Sequence, residues 1–223
     1  MPTTGYWDAW GKQSYNWKPC IELLYAFGRD HAAMFAPVEP LFTDLGALRG
    51  VEVPPLDWMR LTWLRVGFVA PMALSSIEVE TFHEAVGQRL RRLEARTVRL
   101  GGIELIDNRV VLRVDDGGLF RDARREAARG LRQADEALAA DPEMTSDGDN
   151  YMAGIDIAYL DANASEGEVI QAIDPYRAVD LGEVTVAKLM LARMIAQPEA
   201  HFAYIDIFAE ILMAQSQRAG ARS

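Results

Sequence analysis

Two stretches of the chain alternate between apolar and polar positions with a period of two. In "WMRLTWLRVGF", residues 58–68, Leu61 and Trp63 fall on one face of an extended strand, and Arg60 and Thr62 fall on the other. In "AGIDIAYL", residues 153–160, Ile155 and Ile157 share one face, and Gly154 and Asp156 share the opposite one. Each segment therefore reads as a strand with an apolar face and a second face whose i and i+2 positions are not apolar. Elsewhere the spacing is helical. "SSIEVETFHEAVGQRLRRLEA" sets apolar residues at 79, 82, 86, 90 and 93 behind a serine cap. "GLFRDARREAARGLRQADEALAA", from 118, predicts a long helix.

The other segments complete an order of mixed helices and strands. "PCIELLYAFGRDH" opens with Pro19 and ends near Gly28, a pattern that predicts a short helix. "AAMFAPVE" is a candidate strand, and "PLFTDLGALRG" is a short helix stopped by Gly50. "TVRLGGIELIDNRVVLRVDD" predicts two strands around the turn residues Asp107 and Asn108. "SEGEVIQAI" is a short helix and "GEVTVAKLMLARMI" one long strand, while "AYIDIFAEILMA" fits strand at its start and helix at its end. There is no long series of βαβ units, so the fold class is α+β. There is also a rough internal echo, in which each half has a strand, an Ala or Pro turn, a helix, then a further strand or strand pair. The echoing strands begin near Trp58 and Tyr151.

Composition narrows the function more than the fold. The 223 residues suit one large or two-lobed domain, and half of them are hydrophobic, enough for a sizeable core. With 23 basic and 33 acidic residues, the net charge of −10 argues against a broad nucleic-acid surface. Cys20 is the single cysteine, which excludes an intramolecular disulfide and a cysteine-based zinc cluster. No metal-ligand spacing and no cofactor motif are present; "SDGDN" at 146–150 reads as a turn. The start of the chain lacks the apolar core of a secretory signal, and no stretch approaches the roughly 20 apolar residues of a membrane span. A cytoplasmic protein is expected. Residues 1–29 are expected to form an aromatic extension ending in the short helix, with the body at 30–214 and a mobile tail at 215–223.

Across roughly residues 30–195 the chain resembles the two-histidine phosphoesterase superfamily, which includes RNA 2′,3′-cyclic phosphodiesterases and 2′-5′ RNA ligase family proteins. "VPPLDWMRLTWLRVGFV" is similar to the family's first motif strand, and "YMAGIDIAYLDA" to its second. The resemblance implies two lobes around a groove, each offering one H-x-T/S strand, with the histidines as general base and acid and the hydroxyls on phosphate oxygens. Here Arg60 stands at the first histidine position, with Thr62 retained. Gly154 stands at the second, with Asp156 in place of the hydroxyl. Arginine does not exchange protons near neutrality, and glycine offers no side chain. The implied phosphodiesterase chemistry is therefore lost.

Two accounts of the groove remain open. Arg60 and Asp156 form an ion pair that seals it, or they line a small-molecule pocket as the catalytic candidates. In the pocket, Arg60 would hold an anionic or carbonyl group and Asp156 would act as base or orient the ligand. Thr62, Tyr151, Tyr159 and His31 are the ligand-binding candidates, with Trp63 joining them if its strand twists. The expected function is a repurposed pocket, such as a non-hydrolytic tailoring or accessory protein of bacterial specialised metabolism. The alternatives are a nucleotide or RNA-end binding protein and a non-catalytic interaction protein whose groove is filled by the aromatic segment around Trp7, Trp10, Tyr15 and Trp17.

Overall fold

The structure, a computed structural model, describes residues 20–68, 76–134, 151–197 and 202–215. The aromatic segment before Cys20, the 146–150 turn and the tail after 215 lie outside the described residues. Among the described residues nine strands run in chain order: β1 (Cys20–Tyr25), β2 (Val51–Glu52), β3 (Leu61–Phe68), β4 (Arg96–Ile106), β5 (Arg109–Asp115), β6 (Gly154–Leu160), β7 (Asp180–Val186), β8 (Lys188–Gln197) and β9 (Phe202–Leu212). Five α-helices accompany them there: α1 (Phe27–Asp30), α2 (Glu39–Ala47), α3 (Ser76–Leu90), α4 (Leu119–Ala134) and α5 (Glu166–Ile173). The strands form two sheets, ordered β3-β1-β8-β9 and β2-β6-β5-β4-β7, in which every neighbouring pair is antiparallel. Helices α3 and α4 pack on each other beside the first sheet, and α2 and α5 pack together beside the second. This is the α+β class that the element order predicts, with the mainly antiparallel sheets and flanking helices of the two pseudo-symmetric lobes around a central groove that the resemblance implies.

Several local expectations fail for identifiable reasons. The segment from Cys20 to Tyr25 is a strand, not a helix. It runs between β3 and β8 with side chains buried on both faces, so the binary alternation that marks an edge strand is missing. Residues Ala32–Val38 form a 3₁₀ helix in place of the expected strand. Phe35 and Val38, three apart, are its buried residues, as the three-residue repeat of that helix requires. The run from 182 to 195 is broken at Ala187, and its two halves pair in different sheets: β7 with β4, β8 with β1 and β9. That break is the crossover between the lobes. Finally, 202–212 is strand throughout, because its whole length pairs with β8.

Three features fix where the groove strands begin. A side chain on Gly28 would place its Cβ 1.7 Å from the Leu56 carbonyl oxygen, so only glycine permits this approach. The Gly28 amide then donates to the Met59 carbonyl at 2.8 Å, which pins α1 against the lead-in to β3. Asp116 caps α4, its carboxylate accepting from the Phe120 amide at 2.7 Å and from the Gly118 amide at 3.0 Å. Beneath both sheets lies one continuous core that includes Leu23, Phe27, Trp63, Phe120, Ile155 and Ile157. Trp63 is fully buried in it, so its strand does not twist the indole into the groove.

Candidate functional site

The strand positions singled out by alternation converge. Arg60 and Thr62 from the β3 side and Gly154 and Asp156 from β6 line one groove of about 1130 Å³ between the lobes. Tyr151, Tyr159 and Trp58 line it as well. His31 is not among its lining residues: it follows α1, where its Nε2 lies 2.9 Å from the Tyr25 hydroxyl and its ring stacks on that of Tyr25. Burial, reinforced by the Asp30 charge, raises the Tyr25 phenol to about 12.

Arg60 and Asp156 do not pair with each other. On the first wall the Arg60 Nε donates to Glu22 Oε2 at 2.9 Å, and the Thr62 hydroxyl donates to the same oxygen at 3.0 Å. The other guanidinium nitrogens are engaged too, Nη1 with the Trp58 carbonyl at 3.3 Å and Nη2 with the Met194 sulfur. The Arg60 side chain is 10% exposed and that of Glu22 is 0% exposed. A buried charge of this kind is tolerated only when it is paired and hydrogen-bonded. Sequence reading missed Glu22 because its strand was read as a helix. The available signal was a lone carboxylate inside the apolar run "CIELLYAF", which demands a cationic partner once that run is buried.

On the second wall Asp156 accepts from Arg109 Nη1 through both oxygens, at 3.2 and 3.3 Å, and from the Tyr159 hydroxyl at 3.1 Å. Tyr159 lies three residues beyond Asp156 and would face away on a regular strand. A register shift between the Val110 and Val111 pairings, where β6 carries one extra residue, restores it to the groove face. This pair is far more open than the first, with side chains 41% exposed for Arg109 and 28% for Asp156. Arg109, also missed, was hidden by its place at the end of a turn.

Tyr151 joins the walls. Its hydroxyl donates to the Thr62 carbonyl at 3.2 Å, and the Arg124 guanidinium lies 5.4 Å from its ring centre while donating to the Trp63 carbonyl at 3.3 Å. Burial pushes the Tyr151 phenol well above its ordinary range, although the Arg124 charge acts in the opposite direction. Its hydrogen bond makes it a strut between the lobes. Space at Gly154 is restricted, since a Cβ there would come 2.5 Å from Val111 Cγ1. Among the described residues no group of His, Cys, Asp and Glu is placed to hold a metal ion, and no helix is long and apolar enough to cross a membrane.

Two lobes of antiparallel sheet, each directing one strand into a shared groove, form a fold that several solved structures share. The solved structures with this fold include TT0787 of Thermus thermophilus, at 18% identity and a TM-score of 0.64 over 86% of this chain and 97% of that one. Escherichia coli LigT in apo form is similar at 15% identity and a TM-score of 0.55, covering 89% of this chain and 99% of its own. A protein described only as a phosphoesterase matches at 13% identity and a TM-score of 0.56, over 88% and 99%. No protein-family model matches the sequence, and no curated protein matches it significantly.

Proposed function

We propose that the groove is a small-molecule pocket that does not carry out two-histidine phosphodiester hydrolysis. The observation that carries this reading is the division of charge between its walls. Among the described residues Arg60 pairs with Glu22 and Asp156 with Arg109, each within its own lobe, so these two groove residues do not close the groove on each other. Loss of hydrolysis follows from the residues at the two motif positions: a guanidinium stays protonated at neutral pH and Gly154 has no side chain. Asp156 and Tyr159 are the groups that would orient the ligand, with Thr62, Arg60 and Tyr151 shaping the facing wall. A place in bacterial specialised metabolism, as a tailoring or accessory protein, is the setting we assign; its support is sequence divergence alone.

The second reading, a nucleotide-binding protein, is favoured by one observation: structures of Escherichia coli LigT are of complexes with 3′-AMP, ATP and NADP+. The charges in this groove argue against carrying that over. The arginines Arg99, Arg113 and Arg177 that line it form ion pairs with Asp180, Glu104 and Asp174, so the groove does not present a bare cationic track. The test is turnover of 2′,3′-cyclic nucleotides by purified protein. A rate at the buffer control supports the proposal, since each missing proton-transfer group would contribute ~10²–10⁴-fold. Turnover that persists through purification and is abolished by Asp156→Asn overturns it.

A further inference from the structure

The first wall holds a carboxylate where two donors of the groove converge. Arg60 Nε and Thr62 Oγ1 both point at Glu22 Oε2, and both residues line the groove, whereas Glu22 lies behind them on β1, fully buried. A guanidinium and a hydroxyl aimed at one oxygen are the donor set that binds a phosphate, sulfate or carboxylate. Here the protein supplies the anion itself. The position of the guanidinium does not depend on Glu22 alone, because the Trp58 carbonyl and the Met194 sulfur hold its other two nitrogens.

We infer that Glu22 is a specificity-determining residue: an internal anion that fills the oxyanion site of the first wall and excludes phosphate-bearing ligands from it. The pocket therefore selects molecules that bring neutral polar groups, and not a phosphate, to Arg60 and Thr62. This deepens the proposed small-molecule pocket and rests on that reading. Removing the carboxylate leaves the two donors aimed at an anion-sized space directly behind the groove surface, and an external oxyanion then takes its place.

The experiment titrates wild type, Glu22→Gln and Glu22→Ala with inorganic phosphate and with adenosine 3′-monophosphate by calorimetry, at matched ionic strength in chloride. Wild type is expected to show no saturable binding of either. Glu22→Ala is expected to show saturable phosphate binding, at least about tenfold tighter than the weakest binding the titration resolves, the scale of a charge-assisted hydrogen bond. Adding Thr62→Val to that variant removes one donor and should abolish the gain, which separates this site from adventitious binding at the other arginines. If Glu22→Ala folds poorly, its refolding yield and melting temperature should rise in phosphate or acetate relative to chloride, with no such rise for wild type. Saturable phosphate binding by wild type overturns the inference. So does a folded Glu22→Ala that gains no binding, or an unfolded one that no oxyanion rescues. Gain or absence of phosphate binding in the Glu22 variants leaves the pocket at Asp156 untouched, whereas a nucleotide bound by wild type counts against the pocket reading as well.

Discussion

The two walls of the groove carry the same chemistry, an arginine bound to a carboxylate with a hydroxyl donating to the same acid, in opposite environments. The Arg60–Glu22 pair is almost wholly removed from solvent, and the Arg109–Asp156 pair is half open. Desolvation makes the first rigid and costly to disturb, because either member left alone is an uncompensated buried charge. Water screens the second, which is worth little as a pair and keeps acceptor capacity free for a ligand. The first pair is thus part of the buried frame, and the second is a solvent-facing pair. A pair's location, not its composition, decides which role it plays.

The largest effect is expected where that difference is broken on the buried side. Arg60→Met or Glu22→Leu alone should each lower stability by about 3–5 kcal/mol, read by urea denaturation. The double variant should recover most of the loss, since no charge is then stranded. Additive losses would mean that the pair is not coupled.

A smaller loss is expected from placing a side chain at Gly154. Gly154→His drives its Cβ toward Val111 and should cost about 1–3 kcal/mol in thermal or chemical unfolding. Val111→Ala in the same chain should relieve part of that cost. A fully stable Gly154→His would show that the groove has room for an imidazole at this position.

Next in size is the strut between the walls. Tyr151→Phe removes the hydroxyl that donates to the Thr62 carbonyl and should cost about 0.5–1.5 kcal/mol, with ligand binding weakened through altered spacing of the lobes. An unchanged unfolding midpoint would remove Tyr151 from the link.

The comparison also explains how far the sequence could be read. Alternation put Arg60 and Thr62 on one face of a strand and Gly154 and Asp156 on one face of another, because a strand with one buried face shows a period of two; it took the family resemblance to turn those faces toward a groove. It could not assign their partners, which depend on sheet order. Glu22 reaches Arg60 only because β1 lies beside β3, and an interior strand apolar on both faces looks like a helix in sequence. Tyr159 reaches Asp156 only through a register shift, which no periodicity reveals. His31 precedes the run "AAMFAPVE" that reads as a strand, whereas a 3₁₀ helix follows it and its ring turns toward Tyr25.

The measurement closest to the central claim compares wild type with Asp156→Asn, the substitution on the open wall, after exposure to a small-molecule extract of the source cells. Retained molecules are read by mass spectrometry and stability by melting temperature. Wild type should retain a molecule lacking a phosphate group, and Asp156→Asn should lose it while its stability changes by less than about 1 kcal/mol. Retention of a nucleotide or other phosphate-bearing compound by wild type, or retention that Asp156→Asn leaves intact, would contradict the account.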